Sequence, residues 1–349
     1  MATIKEVADL AGVAVGTVSH VITGTVPVSE PLRRKVHAAI RELDYHPNHV
    51  ARSLKTSKTR TLGIIVPDMT IPYFPQVIRG AETAARARNY SLIAVNSDDN
   101  GARQKELLSL LRSQRVDGIL LVVAAGPTPL TQISRIMSAG IRLVCLDRIP
   151  DRLAADSVSV EDVSASELGV EHLLEMGHRR IAIVTGPLSL KNERQRLLGY
   201  EQALERAGIA ADRELIWNGN LLPPNVACLC RGRLRAGPLP DAVFATNGPT
   251  GLGVLRAFRD LGLNSPGDIG FVTFDDLTVD DLFRPAITTI VQPAYEIGFR
   301  AAEILIGRIE ETTKNGQCLT IRLPAALKVR DSSRPRGTHG GRENGSVGY

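Results

Sequence analysis

Residues 3–23 read TIKEVADLAGVAVGTVSHVIT, and this stretch predicts two short amphipathic helices joined at a glycine. Thr3 and Glu6 have the spacing of a capping box, in which each side chain hydrogen-bonds the backbone of the other, so a helix should begin directly after Thr3. Gly12 ends that helix, and a second begins near Val15. Two short helices around a glycine turn predict a helix-turn-helix.

A third helix is predicted after Ser29, which would be its N-cap, with Pro31 in the first turn, where a missing N–H costs nothing. The apolar side chains of this helix recur on one face and would close a small core; they are Val36, Ala39, Ile40 and Leu43. We therefore expect residues 1–47 to form an all-α helix-turn-helix domain.

Positive charge is concentrated at the N-terminal end of the chain. Residues 1–60 carry 9 Lys/Arg against 5 Asp/Glu, while the whole chain of 349 residues has a net charge of +5. This distribution fits a module that meets a polyanion such as DNA, although a solvated basic surface would give the same count.

Composition also limits the class of protein. The 4 cysteines are too few for a disulfide framework and lack the spacing of a zinc site. The sequence starts with no signal-peptide pattern, and no apolar run approaches the length of a membrane span. We expect a cytoplasmic protein with no membrane segment, no metal site and no cofactor.

Beyond residue 60, short apolar strands alternate with amphipathic helices, which predicts parallel sheets with helices on both faces. The alternation restarts after residue 160, so two α/β lobes are expected, and such lobes in series commonly clamp a ligand between them. The predicted strands are 61–66, 92–95, 118–123, 142–146, 180–185, 241–245 and 269–273, and the predicted helices are 74–88, 104–114, 130–138, 164–176, 194–207 and 250–261.

From Thr3 to about Ser333 the chain resembles the LacI/GalR family of bacterial transcription regulators. The resemblance rests on motifs at the family's spacing, which include TIKEVA at 3–8, TVS at 17–19, YHPN at 45–48, VARSL at 50–54, VDG at 116–118, GHRRI at 177–181, FDD at 274–276 and PAITTI at 285–290. It implies a transcriptional regulator, in most relatives a repressor, that binds a palindromic operator in double-stranded DNA as a homodimer and responds to a small-molecule effector.

The resemblance also implies how the chain is divided. A helix-turn-helix domain, 1–47, would be followed by a hinge helix and linker, 48–60, and by a two-lobe α/β domain of the periplasmic-binding-protein-like (type I) class, 61–331, for effector binding and dimerisation. Its N-lobe would comprise about 61–160 plus 293–323, and its C-lobe about 161–292 plus 324–331. The remaining residues, 332–349, are rich in Gly, Arg and Ser and are expected to be disordered.

For DNA binding, the resemblance implies that the second helix enters the major groove. The run Asn48 to Lys55 would be a hinge helix in the minor groove, where Leu54 would act as an apolar wedge between base steps. The alternatives are that Leu54 packs inside the protein and that His20 is an ordinary surface histidine. The DNA-contacting residues expected are Val15, Gly16, Thr17, Ser19, His20, Tyr45, Asn48, Ala51, Arg52, Leu54 and Lys55.

For the effector, the resemblance places a carbohydrate-derived ligand between the lobes, with Asp275 accepting from its hydroxyls and Arg196 donating to it. Ile71 and Gly248 replace polar residues of the family, which argues against a plain neutral hexose. The cations expected in the cleft suit a sugar acid or sugar phosphate, or they only pair with cleft carboxylates; both remain open. The effector-binding residues expected are Tyr73, Phe74, Arg148, Asp162, Lys191, Arg196, Asn247, Asp275 and Gln292.

Two other functions compete with this interpretation. An enzyme is disfavoured, and we expect no catalytic residue, because the sequence has no nucleophile elbow, metal-ligand cluster or Gly-rich phosphate loop. A periplasmic-type solute-binding protein would share both lobes but would have no use for the N-terminal helices. Whether the effector is an inducer or a corepressor is left open by the sequence.

Overall fold

The computed structural model describes residues 2–23, 26–45, 59–126, 130–276, 285–311 and 317–335. The chain divides into two compact units, residues 1–59, here called the head, and residues 60–349, here called the body. Several predictions fall outside the described residues, namely the helix end at Gly24, the DNA contacts of Asn48, Ala51, Arg52, Leu54 and Lys55, and the tail beyond residue 335.

The described residues of the head form three helices, α1 (Ile4–Ala11), α2 (Val15–Thr23) and α3 (Glu30–Glu42). The predicted capping box is confirmed, because Glu6 N donates to Thr3 Oγ1 at 3.3 Å and Thr3 N donates to Glu6 Oε2 at 2.7 Å. Ser29 occupies the N-cap position of α3, as predicted, and its side chain makes no capping hydrogen bond. The buried core of the head consists of Val7, Ala8, Ala11, Val18, Val36, Ala39 and Tyr45.

The strands in the described part of the body form two six-stranded sheets. The first has the order β11-β5-β4-β3-β1-β2 with every pair parallel, and the second has the order β12-β10-β9-β8-β6-β7, in which only β12 runs antiparallel to its neighbour. The strands are β1 (Thr61–Val66), β2 (Ser91–Asn96), β3 (Gly118–Leu121), β4 (Arg142–Leu146), β5 (Asp156–Val160), β6 (Ile181–Thr185), β7 (Ile216–Asn218), β8 (Ala242–Ala245), β9 (Gly270–Phe274), β10 (Thr288–Val291), β11 (Thr320–Leu323) and β12 (Ala326–Lys328).

Helices cover both sheets, because strands with apolar residues on both faces must be buried from two sides. We call the part built on the first sheet the N-lobe and the part built on the second sheet the C-lobe. The helices are α4 (Tyr73–Ala87), α5 (Gly101–Ser113), α6 (Leu130–Ser138), α7 (Asp162–Glu175), α8 (Lys191–Arg206), α9 (Pro223–Ala236), α10 (Gly248–Leu261) and α11 (Ala294–Glu310).

The chain passes between the lobes near residues 161, 292 and 324, so each lobe is built from separate stretches of sequence. Helices α4 and α11 then pack closely in the N-lobe. A Cβ atom at Gly80 would clash with the carbonyl oxygen of Tyr295, and one at Gly298 would clash with that of Val77. This close crossing joins the first N-lobe helix to the segment that returns from the C-lobe.

The end of the folded part corrects one prediction. The tail was expected to be disordered from residue 332, but Ser332 and Ser333 are buried at 0% and 1% exposure. Ser332 Oγ donates to Phe271 O at 2.6 Å, and the Oγ of Ser333 lies 2.7 Å from Nε2 of His172. Small hydroxyl side chains look typical of a flexible tail, yet here buried backbone and imidazole groups need them as hydrogen-bond partners.

Candidate functional site

Two aspartates mark a cleft between the lobes. Asp147 directly follows β4 of the N-lobe, and Asp275 directly follows β9 of the C-lobe. Both line the same cleft, and both have positive φ, 56° and 69° respectively. Such backbone conformations cost energy for residues other than glycine, and they are concentrated at binding sites, where the strain aims a side chain.

The cleft is narrow in this structure, with a cavity volume of about 30 Å³. The predicted effector residues that line it are Tyr73, Phe74, Arg148, Arg196, Asn247, Asp275 and Gln292. The lining also includes residues that sequence reasoning did not select, namely Asp147, Asn192, Glu193, Leu221 and Pro249.

Arg196 is the central cation of the cleft and is only 2% exposed. Its Nε donates to Asp162 Oδ1 at 2.7 Å, and its Nη1 donates to Thr246 O at 2.7 Å. The guanidinium carbon also lies 4.1 Å from the centroid of the Phe274 ring. Two hydrogen bonds and a ring contact therefore hold the planar group in one orientation, as recognition of a specific ligand requires.

Carboxylates surround this guanidinium and share its charge. Burial raises the pKa of Asp162 to about 7, although Arg196 acts in the opposite direction. Burial likewise raises the pKa of Asp147 and that of Asp275. For Arg196, burial disfavours the charge, but Asp162, Glu193 and Asp147 outweigh it and raise the pKa, so the arginine stays a cation.

Several buried polar atoms in the cleft have no hydrogen-bond partner among the described residues. They are Tyr73 Oη, Asn192 Oδ1, Arg196 Nη2 and Gln292 Oε1, and all belong to residues that line the cleft. Leaving a buried donor or acceptor unpaired costs roughly 1–3 kcal/mol, so a ligand that pairs them gains affinity. Arg196 Nη2 is a donor, Asn192 Oδ1 and Gln292 Oε1 are acceptors, and Tyr73 Oη can be either.

The cations predicted to receive an anionic effector are already paired. Arg148 Nη1 donates to Asp99 Oδ1 at 2.6 Å, and Lys191 Nζ lies 3.8 Å from Asp151 Oδ1. Lys191 and Asp162 line a neighbouring crevice rather than the cleft itself. Of the two possibilities left open, pairing with carboxylates is therefore the one the structure supports, because acids distant in sequence lie beside each cation.

Asn247 lines the cleft, but its side chain is engaged within the protein. Its Oδ1 accepts from Thr250 N at 2.9 Å and caps α10, while its Nδ2 donates to Glu193 Oε1 at 2.9 Å. A direct contact between the Asn247 side chain and an effector remains a prediction. Glu193 itself was missed, although it lies three residues before Arg196 on α8, a spacing that places two helical residues on one face.

The predicted DNA-reading residues lie on α2 of the head. Val15, Gly16 and His20 are exposed, and Thr17 and Ser19 are partly buried. A Cβ built at Gly16 would have no heavy atom within 4 Å, so packing does not require glycine there. Between them, Val18 points into the core and is 0% exposed. The helix thus presents one polar face away from its own core.

Tyr45 differs from these residues, because it is buried in the core of the head with 9% exposure. Its ring therefore has a packing role, and the expected DNA contact remains a prediction. Among the helices of the described residues, none has the length and apolar character needed to cross a bilayer.

Two family models match this chain, one in the head and one in the body. The model described as "Bacterial regulatory proteins, lacI family" matches residues 3–48, and that described as "Periplasmic binding protein-like domain" matches residues 170–333. The ribose operon repressor of Escherichia coli K12 is 36% identical over 322 residues, which cover 92% of this chain and 97% of the repressor. The transcriptional repressor PurR of Vibrio atlanticus is 36% identical over 314 residues, which cover 89% of this chain and 93% of PurR.

Among solved structures, the lac repressor dimer bound to operator and the anti-inducer ONPF superposes with a TM-score of 0.82 at 27% identity, over 95% of this chain and 99% of that one. The head match and the repressor relatives exclude the solute-binding alternative, and these relatives are repressors rather than enzymes. With a helix-turn-helix head, a two-sheet body and relatives of this identity and coverage, the chain belongs to the lacI family of bacterial regulatory proteins and is a DNA-binding transcriptional regulator.

Proposed function

We propose that the protein is a repressor that binds a palindromic operator as a homodimer and whose operator affinity is controlled by a neutral polyhydroxylated effector of the pentose class. The observation that carries the effector assignment concerns Nη2 of Arg196, which has no hydrogen-bond partner within the described part of the chain and lies 4.0 Å from Asp147 Oδ1 across the cleft. A hydroxyl group placed there would accept from the guanidinium and donate to the carboxylate. Because the two residues belong to different lobes, the same hydroxyl would hold the lobes together.

The charge of the cleft supports a neutral ligand over an anionic one. Arg148 is paired with Asp99, and Arg196 faces Asp147, Asp162 and Glu193. A phosphate or carboxylate would be repelled by these acids, and the cations that line the cleft among the described residues, Arg148 and Arg196, are already paired with carboxylates. The neighbouring side chains with unpaired acceptors, Asn192 and Gln292, would instead accept from further hydroxyls. The similarity to a ribose operon repressor supports a pentose in particular.

For the DNA, the exposed face of α2 supports major-groove recognition, with His20 and Ser19 offering side-chain donors and acceptors to base edges. A dimer would present two such helices to a palindrome, as protein symmetry then matches that of the DNA. Effector binding would change operator affinity through the linkage between the two sites. Action on operator DNA also supports the expected cytoplasmic location.

The test is a calorimetric titration of the full-length protein with D-ribose, D-glucose, ribose 5-phosphate and hypoxanthine, the last because of the similarity to PurR. We expect ribose to bind and ribose 5-phosphate to bind at least about tenfold more weakly. Fluorescence anisotropy with a labelled palindromic duplex then reports operator affinity with and without ribose. Release identifies an inducer and tightening identifies a corepressor, whereas preference for the phosphate or the purine would overturn the pentose assignment.

A further inference from the structure

We propose that Glu193 is a positioning residue for effector recognition, which acts by holding the β8–α10 turn, Thr246 and Asn247, against Arg196. This inference rests on the proposed function, since it concerns the same cleft. Glu193 is 1% exposed, so its carboxylate is almost entirely shielded from solvent. A glutamate is rarely buried to this extent unless its oxygens are paired.

The carboxylate of Glu193 is fully engaged by the protein. Its Oε2 accepts from Gly186 N at 2.8 Å and from Thr246 Oγ1 at 2.5 Å, and its Oε1 accepts from Asn247 Nδ2 at 2.9 Å. These donors come from the turn after β6 and the turn after β8. One side chain of α8 therefore ties two neighbouring turns of the C-lobe wall together.

Arg196 holds the same turn from its other side. Its Nη1 donates to Thr246 O at 2.7 Å, while the hydroxyl of Thr246 donates to Glu193. Glu193 and Arg196 lie one helical turn apart on α8, and together they grip Thr246 through its carbonyl and its side chain. The backbone N–H of Thr246 also donates to Val184 O at 3.0 Å, so loss of the Glu193 contacts would loosen the side chain of this turn and remove one restraint on the orientation of the Arg196 fork. This is how a residue with no free oxygen for a ligand can control ligand affinity.

The space around the Glu193 carboxylate is also restricted. A Cβ at Gly186 would lie 3.0 Å from Cδ of Glu193 and 3.2 Å from Nδ2 of Asn247, closer than such atoms normally approach. Asn247 cannot turn its amide over without loss, because its Oδ1 accepts from Thr250 N and caps α10. In this pair Glu193 on α8 is therefore always the acceptor, and Asn247 on the turn is always the donor.

This fixed polarity allows a test by exchange. Glu193→Gln would leave an amide donor facing either Asn247 Nδ2 or Gly186 N, both of which are donors, and Asn247→Asp would point a carboxylate at the Glu193 carboxylate, so each single change breaks a contact of Glu193. The double variant Glu193→Gln with Asn247→Asp restores one donor facing one acceptor, keeps the cap on α10 and keeps the net charge of the wild type. Non-additivity of this kind reports a direct interaction.

The full-length protein and these three variants are titrated with D-ribose by calorimetry, with operator binding in the absence of sugar and the melting temperature as checks of folding. We expect each single variant to bind ribose at least about tenfold more weakly and the double variant to recover to within about threefold of the wild type. Matched controls are Glu205→Gln, at an exposed acid on α8, and Asn225→Asp, at an exposed amide on α9.

Two results would overturn the inference on Glu193 and leave the proposed function intact. One is wild-type ribose affinity in Glu193→Gln, and the other is a folded double variant that binds ribose as weakly as the single variants do. If a single variant does not fold, the double variant decides by the same criterion. A wild-type protein that binds no member of the panel above would overturn the proposed function together with this inference.

Discussion

Nη2 of Arg196 and Oδ1 of Asp147 lie 4.0 Å apart across the cleft, with the arginine on α8 of the C-lobe and the aspartate at the end of β4 of the N-lobe. This separation is too long for a direct hydrogen bond. The Nη2 atom has no hydrogen-bond partner among the described residues, and solvent hardly reaches it, because the side chain is only 2% exposed. The pair thus combines opposite charge, burial and an unmet hydrogen bond at the boundary between the lobes.

Arg196→Lys should abolish the response to effector. An ammonium group cannot reach Asp162, Thr246 and a ligand with the fixed fork that guanidinium provides. We expect the ribose Kd to rise by at least about 100-fold, which corresponds to roughly 2.7 kcal/mol, while operator binding without sugar is retained. Calorimetry and operator anisotropy measure the two quantities.

The control for this change is Arg206→Lys, since Arg206 lies on the same helix and its side chain is 51% exposed in contacts with Glu167 and Glu171. It should leave ribose affinity unchanged. An Arg196→Lys protein whose operator affinity still changes at the wild-type ribose concentration would contradict the central role of the guanidinium.

The pH dependence of stability should contain a contribution from Asp162. Burial raises its pKa from 3.8 to about 7 in the folded protein, so between these values the folded state holds a proton that the unfolded chain has lost. The stability linked to this proton is fully present below the unfolded pKa and is lost as pH rises through the folded pKa. The melting temperature of the wild type should therefore fall between about pH 4 and about pH 7 relative to that of Asp162→Asn.

Asp162→Asn is the reference variant for this comparison, because its amide keeps an acceptor for Arg196 Nε but cannot titrate. Asp147 and Asp275 are present in both proteins, so the difference between the two melting curves isolates Asp162. Parallel pH profiles would show that Asp162 is already ionised throughout this range.

Asp151 joins the lobes at the edge of the cleft. Its Oδ2 accepts from Arg194 Nη2 at 2.5 Å, and its Oδ1 lies 3.8 Å from Lys191 Nζ, so a loop of the N-lobe contacts α8 of the C-lobe. Because these side chains are 35% to 55% exposed, the contribution is at most about 1 kcal/mol. Asp151→Asn should weaken ribose binding by about two- to fivefold at low salt.

Salt provides the diagnostic for this ion pair. At about 0.5 M salt the exposed charges are screened, and the wild type and Asp151→Asn should converge in ribose affinity. Glu205→Gln serves as the neutralised control on α8. A difference that persists at high salt would assign the effect to the shape of the loop instead of its charge.

His20→Ala should weaken operator binding without unfolding the head. The residue is on the exposed face of α2, while the neighbouring Val18 carries the packing. Loss of a base or phosphate contact should raise the operator Kd by about tenfold, within the usual range for one such contact. Anisotropy with specific and scrambled duplexes measures this change.

The same substitution at His37, an exposed histidine on α3, is the matched control and should have little effect. If His20→Ala binds the specific duplex as tightly as the wild type does, His20 is an ordinary surface histidine, as the alternative interpretation holds.

Strands with continuous apolar sequence were predicted well, and strands with polar residues were missed. Residues 61–66, TLGIIV, were assigned to β1 with the bounds observed. Strand β5, DSVSV, was not found because its sequence alternates, yet all five residues are buried. Its aspartate is buried because it pairs with Arg308 at 2.9 Å, a residue 152 positions later in the chain. Polar character therefore misleads wherever a distant partner satisfies it.

The residues of the cleft also divide into those that the sequence identified and those that depend on distant partners. Resemblance to the family led to Arg196, Asp275 and most of the cleft, whereas the charge argument for an anionic ligand selected Lys191, whose ammonium instead faces Asp151. It missed Glu193, because a glutamate on a helix usually faces solvent, and its burial follows from three donors that the fold brings together. These assignments depend on which groups are desolvated together.

The sequence by itself determined the local features of this protein: the capping box of Thr3 and Glu6, the helix-turn-helix, the alternation of strands and helices, and membership of a regulator family. Each depends on residues a few positions apart, whose hydrogen bonds and apolar faces are set by helix and strand periodicity. Only the tertiary structure decided which charges in the cleft are neutralised and that one donor of Arg196 has no partner among the residues that the structure describes. Coulombic and hydrogen-bond energies depend on distance in space and on burial, and neither is a property of position along the chain.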